Sequence, residues 1–245
     1  MRPLSCKGRF WRALVLLSVM ATTLSFASLN ATADDRLSAT DHPAIWQQAI
    51  VKLSVPVKRW EDGRRRHFIE DCTGSLIKGN EDILILTAWH CVEGFNDLTQ
   101  VIIATASNGK IFEAQVSAIG ASMSADWALL SLNRSAQTMQ NTSYLELAKI
   151  RPIEGQLILM AGFSRDQQLG DNGSTLTFDP DCQVRHTPSG ANAIYTNCTA
   201  FKGASGGPVL TLEGDTYKVL GVISAGNEAG LSLFTPVTAI ARSLW

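Results

Sequence analysis

The sequence lacks several features by which a function is commonly recognised. Its 245 residues contain no internal repeat, no low-complexity tract and no phosphate-binding P-loop. With 22 acidic and 21 basic residues, it has no charge excess that favours nucleic acid or an anionic membrane as a partner. Helical periodicity is almost absent, so short strands are the main regular structure that we expect. The length still allows one large or two small domains with a proper core.

Long apolar runs are confined to the N-terminus. Four basic residues open the chain, an apolar run covers residues 13–29, and small residues follow at 31–33. This order is typical of a secretory signal peptide, which we predict over residues 1–33 with cleavage after Ala33. Cleavage after Ala27 and an uncleaved membrane anchor are the alternatives. Removal leaves 17 basic against 22 acidic residues, a formal charge of −5, in a chain that we expect to be secreted or periplasmic.

Cysteine is scarce, and four of the five cysteines lie beyond the leader, at Cys72, Cys91, Cys182 and Cys198. An even number in a secreted chain predicts two disulfides, for which sequence alone allows three pairings. A zinc site built from Cys182, His186 and Cys198 is an alternative, but no second ligand pair with short spacing accompanies it. We therefore expect no metal and no cofactor.

Short apolar segments with turns between them fill most of the remaining chain. Asp62-Gly63 and Asn108-Gly109 are dipeptides typical of β-hairpin turns. The predicted strands are 49–57, 67–69, 74–77, 83–87, 100–106, 111–119, 127–132, 156–163, 175–178, 182–185, 193–199, 208–212, 217–224 and 231–234. This pattern predicts an all-β sandwich or a pair of barrels.

Three regions fall outside the strand pattern. Residues 34–43 are polar and are predicted to form a loosely held N-terminal arm. A polar stretch at 133–143 and the segment 145–152 are the expected connection between two halves. Residues 236–245 have apolar side chains at helical spacing, which predicts a short C-terminal helix.

A glycine-rich turn at residues 201–208 carries a serine whose surroundings suit a nucleophile. Gly203, Gly206 and Gly207 flank Ser205 and let a substrate approach the main chain closely. Such a turn can point neighbouring amides in the same direction as the hydroxyl, which is the geometry of an oxyanion hole. The alternative interpretation is a structural β-turn ahead of the next strand.

Two other segments could supply the partners that a nucleophilic serine needs. His90 directly follows one apolar strand, and Asp126 directly precedes another. Each signal is weak alone, because a histidine can end a strand and an aspartate favours turns. Their order before Ser205 is that of one known catalytic triad. It excludes an α/β-hydrolase, whose histidine follows the serine, because all four histidines precede Ser205. A subtilisin-like triad would need its aspartate before His90 and a helix around Ser205, and Pro208 with the strand after it argues against that arrangement.

On these motifs the chain resembles the chymotrypsin-like, or trypsin-fold, serine peptidases. Residues 72–77 look like the family's cysteine strand, 87–91 like its histidine motif and 126–132 like its aspartate strand. Residues 203–208 look like the serine motif, and 221–226 resemble the strand that pairs with substrate. The resemblance covers most of the chain beyond the leader. It implies two six-stranded antiparallel β-barrels followed by a short C-terminal helix.

The resemblance also implies a chemistry and a domain division. It implies a serine endopeptidase in which Ser205 is the nucleophile, His90 the base and Asp126 the group that orients it. The amides of Gly203 and Ser205 would form the oxyanion hole. The N-terminal barrel would span residues 34–145 with His90 and Asp126, and the C-terminal barrel residues 146–245 with Ser205. The family's disulfide implies a Cys72–Cys91 bond, which leaves Cys182 and Cys198 as the second pair.

Two departures from the family pattern bear on activation and specificity. Ala204 stands where many members have an aspartate that pairs with a new amino terminus, and no Ile-Val-Gly-Gly start follows the leader. We therefore expect activity without N-terminal cleavage. Thr199 stands where an aspartate would select Arg or Lys, and the residues of the expected pocket wall are uncharged. A neutral P1 residue is the expected preference. The expected pocket residues are Thr199, Ser224, Ala225 and Gly226.

The expected partner is a protein or peptide substrate bound by a monomer, with no nucleic acid and no stable membrane association after signal cleavage. The alternative from another class is a binding protein on the same scaffold that no longer turns over substrate. Such a loss usually appears in the triad, and His90, Asp126 and Ser205 are all present.

Overall fold

The computed structural model describes residues 34–80, 82–96, 99–133, 142–188 and 192–240. The predicted signal peptide and residues 241–245 of the predicted C-terminal helix lie outside the described residues. The described strands are β1 (Leu37–Ser38), β2 (Ile50–Glu61), β3 (Arg64–Lys78), β4 (Ile83–Thr87), β5 (Ile102–Ala106), β6 (Ile111–Ile119), β7 (Ala128–Leu132), β8 (Leu157–Gly162), β9 (Thr177–His186), β10 (Ile194–Thr196), β11 (Pro208–Glu213), β12 (Thr216–Gly226) and β13 (Ser232–Pro236). The described helices are α1 (Trp89–Val92) and the 3-10 segments Ile45–Ala49, Asp171–Gly173 and Val237–Ala239.

The first barrel is closed by six antiparallel strands in the order β2-β3-β4-β7-β6-β5. On β2, Leu53, Val55 and Val57 are fully buried and alternate with partly exposed residues, because successive side chains of a strand point to opposite faces. The β2–β3 hairpin turns at Asp62 and Gly63, whose φ angles of 52° and 71° suit the predicted two-residue turn.

The second barrel closes in the order β8-β9-β10-β13-β12-β11, and β1 pairs with the first two residues of β9. Its core continues that of the first barrel through Ala161, Phe163 and Leu210. Two six-stranded antiparallel barrels are thus present, as the family resemblance implies. Among the described residues, no helix is long and apolar enough to cross a membrane.

The structure differs from the predicted elements at several places. One is β3, a single strand where the sequence predicts two, at 67–69 and 74–77. The arm at residues 34–43 is not loosely held, because Leu37 and Ser38 pair with Phe178 and Thr177 of β9. The two strands predicted at 175–178 and 182–185 are one strand. Pro180 lies where the β8–β9 register shifts, and a bulge is a position at which a strand tolerates proline.

Candidate active site

The position of His90 is fixed by the single turn of α1, which directly follows β4. The next residue, Cys91, is fully buried and forms a disulfide with Cys72 of β3, with their Cα atoms 6.2 Å apart. A second disulfide joins Cys182 and Cys198. These are the two pairs that the resemblance implies, and the first anchors the helix that carries His90.

Asp126 is the fully buried partner of His90. Its Oδ2 lies 2.8 Å from His90 Nδ1, and its Oδ1 accepts the backbone N–H of His90 at 2.9 Å. Because a carboxylate only accepts, His90 Nδ1 carries the proton and Nε2 presents its lone pair. His90 is partly exposed, with 27% of its side chain accessible. The arrangement therefore offers a base of fixed tautomer at the surface.

Ser224 completes the surroundings of Asp126. Its hydroxyl donates a short hydrogen bond to Asp126 Oδ2. Burial alone raises the pKa of Asp126, but the hydrogen bonds from His90 and Ser224 and the charge of His90 outweigh it, so the pKa lies below its ordinary value. The carboxylate is thus kept ionised. Motif reasoning placed Ser224 in the pocket wall and missed this contact, which depends on a residue 98 positions away.

The turn that carries Ser205 is held by backbone hydrogen bonds to both barrels. Ser205 O accepts the N–H of Thr73 at 2.8 Å, and Gly206 N–H donates to Ile223 O at 2.8 Å. Gly203 and Gly206 have φ angles of 90° and 81°, which side-chain-bearing residues rarely adopt. A Cβ on Gly206 would lie 2.1 Å from Thr87 Oγ1. The turn therefore packs tightly against the first barrel.

The amides expected to form an oxyanion hole are available. Within the described part of the chain, the N–H groups of Gly203 and Ser205 donate to no protein acceptor. Nor does a hydrogen bond join Ser205 to the ring of His90 there. In enzymes without a bound substrate, catalytic hydrogen bonds are often long and tighten only in the complex. The turn lies near the helix that carries His90, since Ser205 O is 3.7 Å from Cys91 Sγ.

The residues expected to form the specificity pocket are brought together. Ala225 and Gly226 end β12, and a Cβ on Gly226 would lie 2.5 Å from the carbonyl oxygen of Ala200. Thr199 N–H donates to Asp179 Oδ2 at 2.9 Å. Asp179 is a buried acid that sequence reasoning missed. Its position on β9, 20 residues before Thr199, gives no motif that would reveal the contact.

Neither of the two cysteine-containing clusters offers a free thiol to a metal. Ligand atoms of Cys72, His90 and Cys91 lie within 4.8 Å of one another, but the two sulfurs form a disulfide. The zinc alternative at Cys182 and Cys198 meets the same obstacle. A thiolate, the form of cysteine that binds metal, is therefore absent from both clusters.

The family relation rests on the stretch that contains these elements. Residues 72–222, more than half of the chain, match the family described as a trypsin-like peptidase domain. The chain belongs to this family. It is a serine peptidase with the trypsin-like double barrel.

Solved structures share the fold of this trypsin-like peptidase. It is similar to the inactive form of Rv3671c protease at 21% identity and a TM-score of 0.55, covering 81% of this chain and 88% of that chain. The active form of Rv3671c protease from M. tuberculosis is 20% identical with a TM-score of 0.58, and the match covers 81% of this chain and 80% of that chain. The serine endoprotease from Yersinia pestis is 21% identical with a TM-score of 0.57, and the match covers 80% of this chain and 61% of that chain. These likenesses concern the fold alone, and by sequence the chain matches no curated protein.

Proposed function

We propose that this protein is a secreted serine endopeptidase that acts through His90, Asp126 and Ser205. The observation that carries the proposal is the linked set of Ser224, Asp126 and His90 beside a turn with two unpaired backbone donors. Two buried disulfides support an oxidising compartment, where such bonds persist. The predicted leader supports export through the same compartment.

The proposed mechanism assigns each group one task. Ser205 Oγ attacks the peptide carbonyl carbon and passes its proton to His90 Nε2. The carbonyl oxygen becomes an oxyanion that accepts hydrogen bonds from the N–H groups of Gly203 and Ser205, worth about 3–4 kcal/mol per donor. The leaving amine takes the proton from His90 as the acyl-enzyme forms. Water then releases the acyl group by the same proton transfers, while Asp126 stabilises the imidazolium.

The proposal also assigns the three triad residues to the two barrels. We assign residues 34–145 to the barrel that supplies His90 and Asp126, and residues 146–245 to the barrel that supplies Ser205. From β2 onward the strands support this boundary, since the last strand of the first barrel ends at Leu132 and β8 of the second begins at Leu157. The exception is β1, which pairs with β9 of the second barrel. A substrate would therefore lie in the cleft where the two barrels meet.

The proposal includes a neutral P1 residue, bound near Thr199, Ala225 and Gly226. Asp179 contacts this region through Thr199, and it would favour a basic P1 residue if its charge reached the pocket. Its carboxylate instead accepts the N–H of Thr199. Burial raises the pKa of Asp179, because it disfavours the ionised carboxylate. A peptide library checks the preference, and dominant cleavage after Arg or Lys would contradict it.

Changing the nucleophile tests the function directly. We expect a fluorophosphonate probe to label the wild-type protein and Ser205→Ala to abolish labelling, with turnover falling by several orders of magnitude. Ser117→Ala is a matched control, because that hydroxyl donates to Leu129 O in the first barrel, away from Ser205. Equal labelling of wild type and Ser205→Ala would refute the assignment. A folded wild type that is not labelled would favour a non-catalytic peptide-binding protein.

Activity without N-terminal cleavage is also proposed. Ala204 is buried and offers no carboxylate for a new amino terminus. The protein beginning at Asp34 should therefore be active as isolated. A protein that gains activity only after proteolysis would overturn this part of the proposal.

A further inference from the structure

Arg36, in the segment predicted to be a loose arm, is one of the few buried charged residues of the described chain. Its guanidinium donates to both carboxylate oxygens of Asp34, at 2.8 and 2.7 Å. The remaining terminal nitrogen donates to Asp166 Oδ2 at 3.0 Å and to Thr177 Oγ1 at 3.3 Å. Buried charges persist only when they are paired in this way, so the site is built around this side chain.

The main chain next to Arg36 is fixed as firmly as its side chain. Leu37 and Ser38 pair with β9, and Ala39 N–H donates to Leu176 O at 2.9 Å. The segment therefore belongs to the second barrel. The main chain on the C-terminal side of Arg36 is thus held by β9.

Asp166 connects Arg36 to the loop that follows β8. Its carboxylate accepts the N–H groups of Gln168 and Gly170, each at 3.1 Å, and its carbonyl oxygen accepts that of Asn172 at 2.9 Å. Burial alone raises the pKa of Asp166, but these bonds and the one from Arg36 outweigh it and lower the pKa. The loop is thus organised around a carboxylate that Arg36 neutralises.

The same loop touches the nucleophile turn. Arg165 N–H donates to Lys202 O at 2.7 Å, and a Cβ on Gly203 would lie 2.4 Å from Phe163 O. Arg36 reaches the turn directly as well, since its guanidinium carbon lies 3.9 Å from the centre of the Phe201 ring. A charge at that distance over an aromatic face is attracted to it.

The space between Arg36 and the turn is nearly filled. Arg36, Thr177 and Ala204 line a cavity of about 10 Å³, roughly the volume that one water occupies. Ala204 contributes no polar group there. On the side of the turn that faces Arg36, Phe201 and the loop of Asp166 supply contacts, and both touch Arg36. Thr73 holds the turn from the first barrel.

We propose that Arg36, paired with Asp166 and stacked on Phe201, is a positioning residue that holds Gly203 in its oxyanion-hole conformation. The proposal deepens the proposed peptidase function and rests on it. It explains how a turn with alanine at position 204 keeps its shape. It also means that an N-terminus at Asp34 keeps the enzyme competent, whereas removal of the residues through Arg36 lowers kcat as Arg36→Met does.

The test compares three variants in the otherwise intact protein: Arg36→Met, Arg36→Lys and Asp166→Asn. We expect kcat to fall at least about 10-fold in Arg36→Met, while KM changes less than about 3-fold. Affinity for a peptide boronic acid, whose tetrahedral adduct occupies the oxyanion hole, should fall in parallel with kcat. Asp166→Asn should move the same quantities in the same direction.

Lys218→Met is the matched control. Lys218 also bridges two carboxylates of its region, Glu146 and Glu213, at 3.3 and 3.5 Å, but it does not contact the nucleophile turn. Its kcat should equal that of wild type. A general loss of barrel stability would lower activity in both methionine variants, whereas the proposed positioning affects Arg36 alone.

Three results would overturn the proposal. One is a folded Arg36→Met variant with kcat and boronate affinity within about 2-fold of wild type. If Arg36→Met fails to fold, Arg36→Lys decides, because an ammonium cannot donate to Asp34 and Asp166 in the forked geometry of a guanidinium; unchanged kcat in that variant refutes the proposal. Equal losses in Lys218→Met would refute it too. Failure of wild type to react with fluorophosphonate, in contrast, refutes the peptidase function itself.

Discussion

The two barrels have the same number of strands but differ in regularity. Among the described ladders, those of the first barrel contain one register shift, between Val116 and Ala118. Those of the second contain four, including one between Ile223 and Ala225 that makes Ser224 the extra residue. Bulges bend a strand and redirect its side chains, and they cluster near active sites. The second barrel thus has less regular strand pairing, and one of its bulges lies at Ser224, next to the site.

The regular barrel supports the irregular one. Thr73 of β3 donates its N–H to Ser205 O and its hydroxyl to Gly203 O at 2.7 Å, and it accepts the N–H of Phe163 at 2.9 Å. Thr73 is fully buried. The turn of the second barrel therefore takes its position from a strand of the first. The precision of the site therefore depends on contacts between the barrels as much as on either barrel.

The largest expected effect on stability and turnover comes from replacing Gly206 in the nucleophile turn, compared with Gly109 in a hairpin of the first barrel. Gly206→Ala places a Cβ 2.1 Å from Thr87 Oγ1 and 2.3 Å from Thr73 O, at a φ of 81°. We expect a loss of more than about 4 kcal/mol of stability and at least about 10²-fold in turnover. Gly109→Ala has a similar φ of 83° but nothing within 4 Å, so it should cost about 1 kcal/mol and leave turnover unchanged. Urea unfolding measures the stability of each variant, and initial rates measure its turnover. Equal losses in Gly206→Ala and Gly109→Ala would contradict the importance of the close contacts at Gly206.

The next effect contrasts the two disulfides, one in each barrel. They join cysteines separated by 19 and 16 positions, so chain entropy predicts a similar loss of about 3 kcal/mol when either pair is replaced by serine. Turnover should distinguish them. Replacing Cys72 and Cys91 frees the helix that carries His90 and should lower kcat well below that of the Cys182, Cys198 variant. If the second variant loses more kcat, His90 does not depend on its disulfide.

A smaller effect tests the tether between the barrels. Thr73→Val keeps the shape of the side chain but leaves Gly203 O and Phe163 N–H without their partner, which should cost roughly 2 kcal/mol in all. Affinity for a peptide boronic acid should fall as well, because the Gly203 N–H is a proposed donor to the oxyanion. Thr73→Ser retains the hydroxyl and should recover most of both quantities. A serine variant as impaired as the valine variant would show that the hydroxyl is not the cause.

The smallest effect concerns a charge that the second barrel buries. Burial raises the pKa of Asp179, and the charges of Asp34 and Asp35 add to this, while the N–H groups of Thr199 and Asp181 only partly offset it. With a folded-state pKa above the unfolded value, Asp179 loses its stabilising contribution as pH rises through the folded pKa. Asp179→Asn keeps an acceptor for Thr199 and should raise Tm slightly at pH 7. The gain should shrink at acid pH, where both side chains are neutral; a constant gain would contradict this origin.

The elements that sequence predicted best are those set by local patterns. Alternating apolar residues located most strands within a few positions, and the Asp62-Gly63 dipeptide predicted its hairpin because the turn itself requires positive φ. The order of His90, Asp126 and Ser205 pointed to the correct family, because each lies at the end of a recognisable strand. Local chemistry was sufficient for these features.

What sequence reasoning missed depends on distant partners. Arg36 lies in a polar stretch, and its burial follows from Asp166, 130 positions away. Ser224 meets Asp126 only because a bulge turns it inward. Pro180 suggested a break between strands, and only the register of β8 shows that the bulge accommodates it. None of these contacts has a short-range pattern from which it could be predicted.

The position of Thr73 bears on how the enzyme fails on heating. Its three hydrogen bonds join strand β3, the start of the β8 loop and the turn of Ser205. Slight separation of the barrels breaks these bonds while every strand of both barrels still has its partners. Loss of activity on heating should therefore precede melting of the sheets. The hydrogen bonds of Thr73 between the barrels then set the highest temperature at which the enzyme is active.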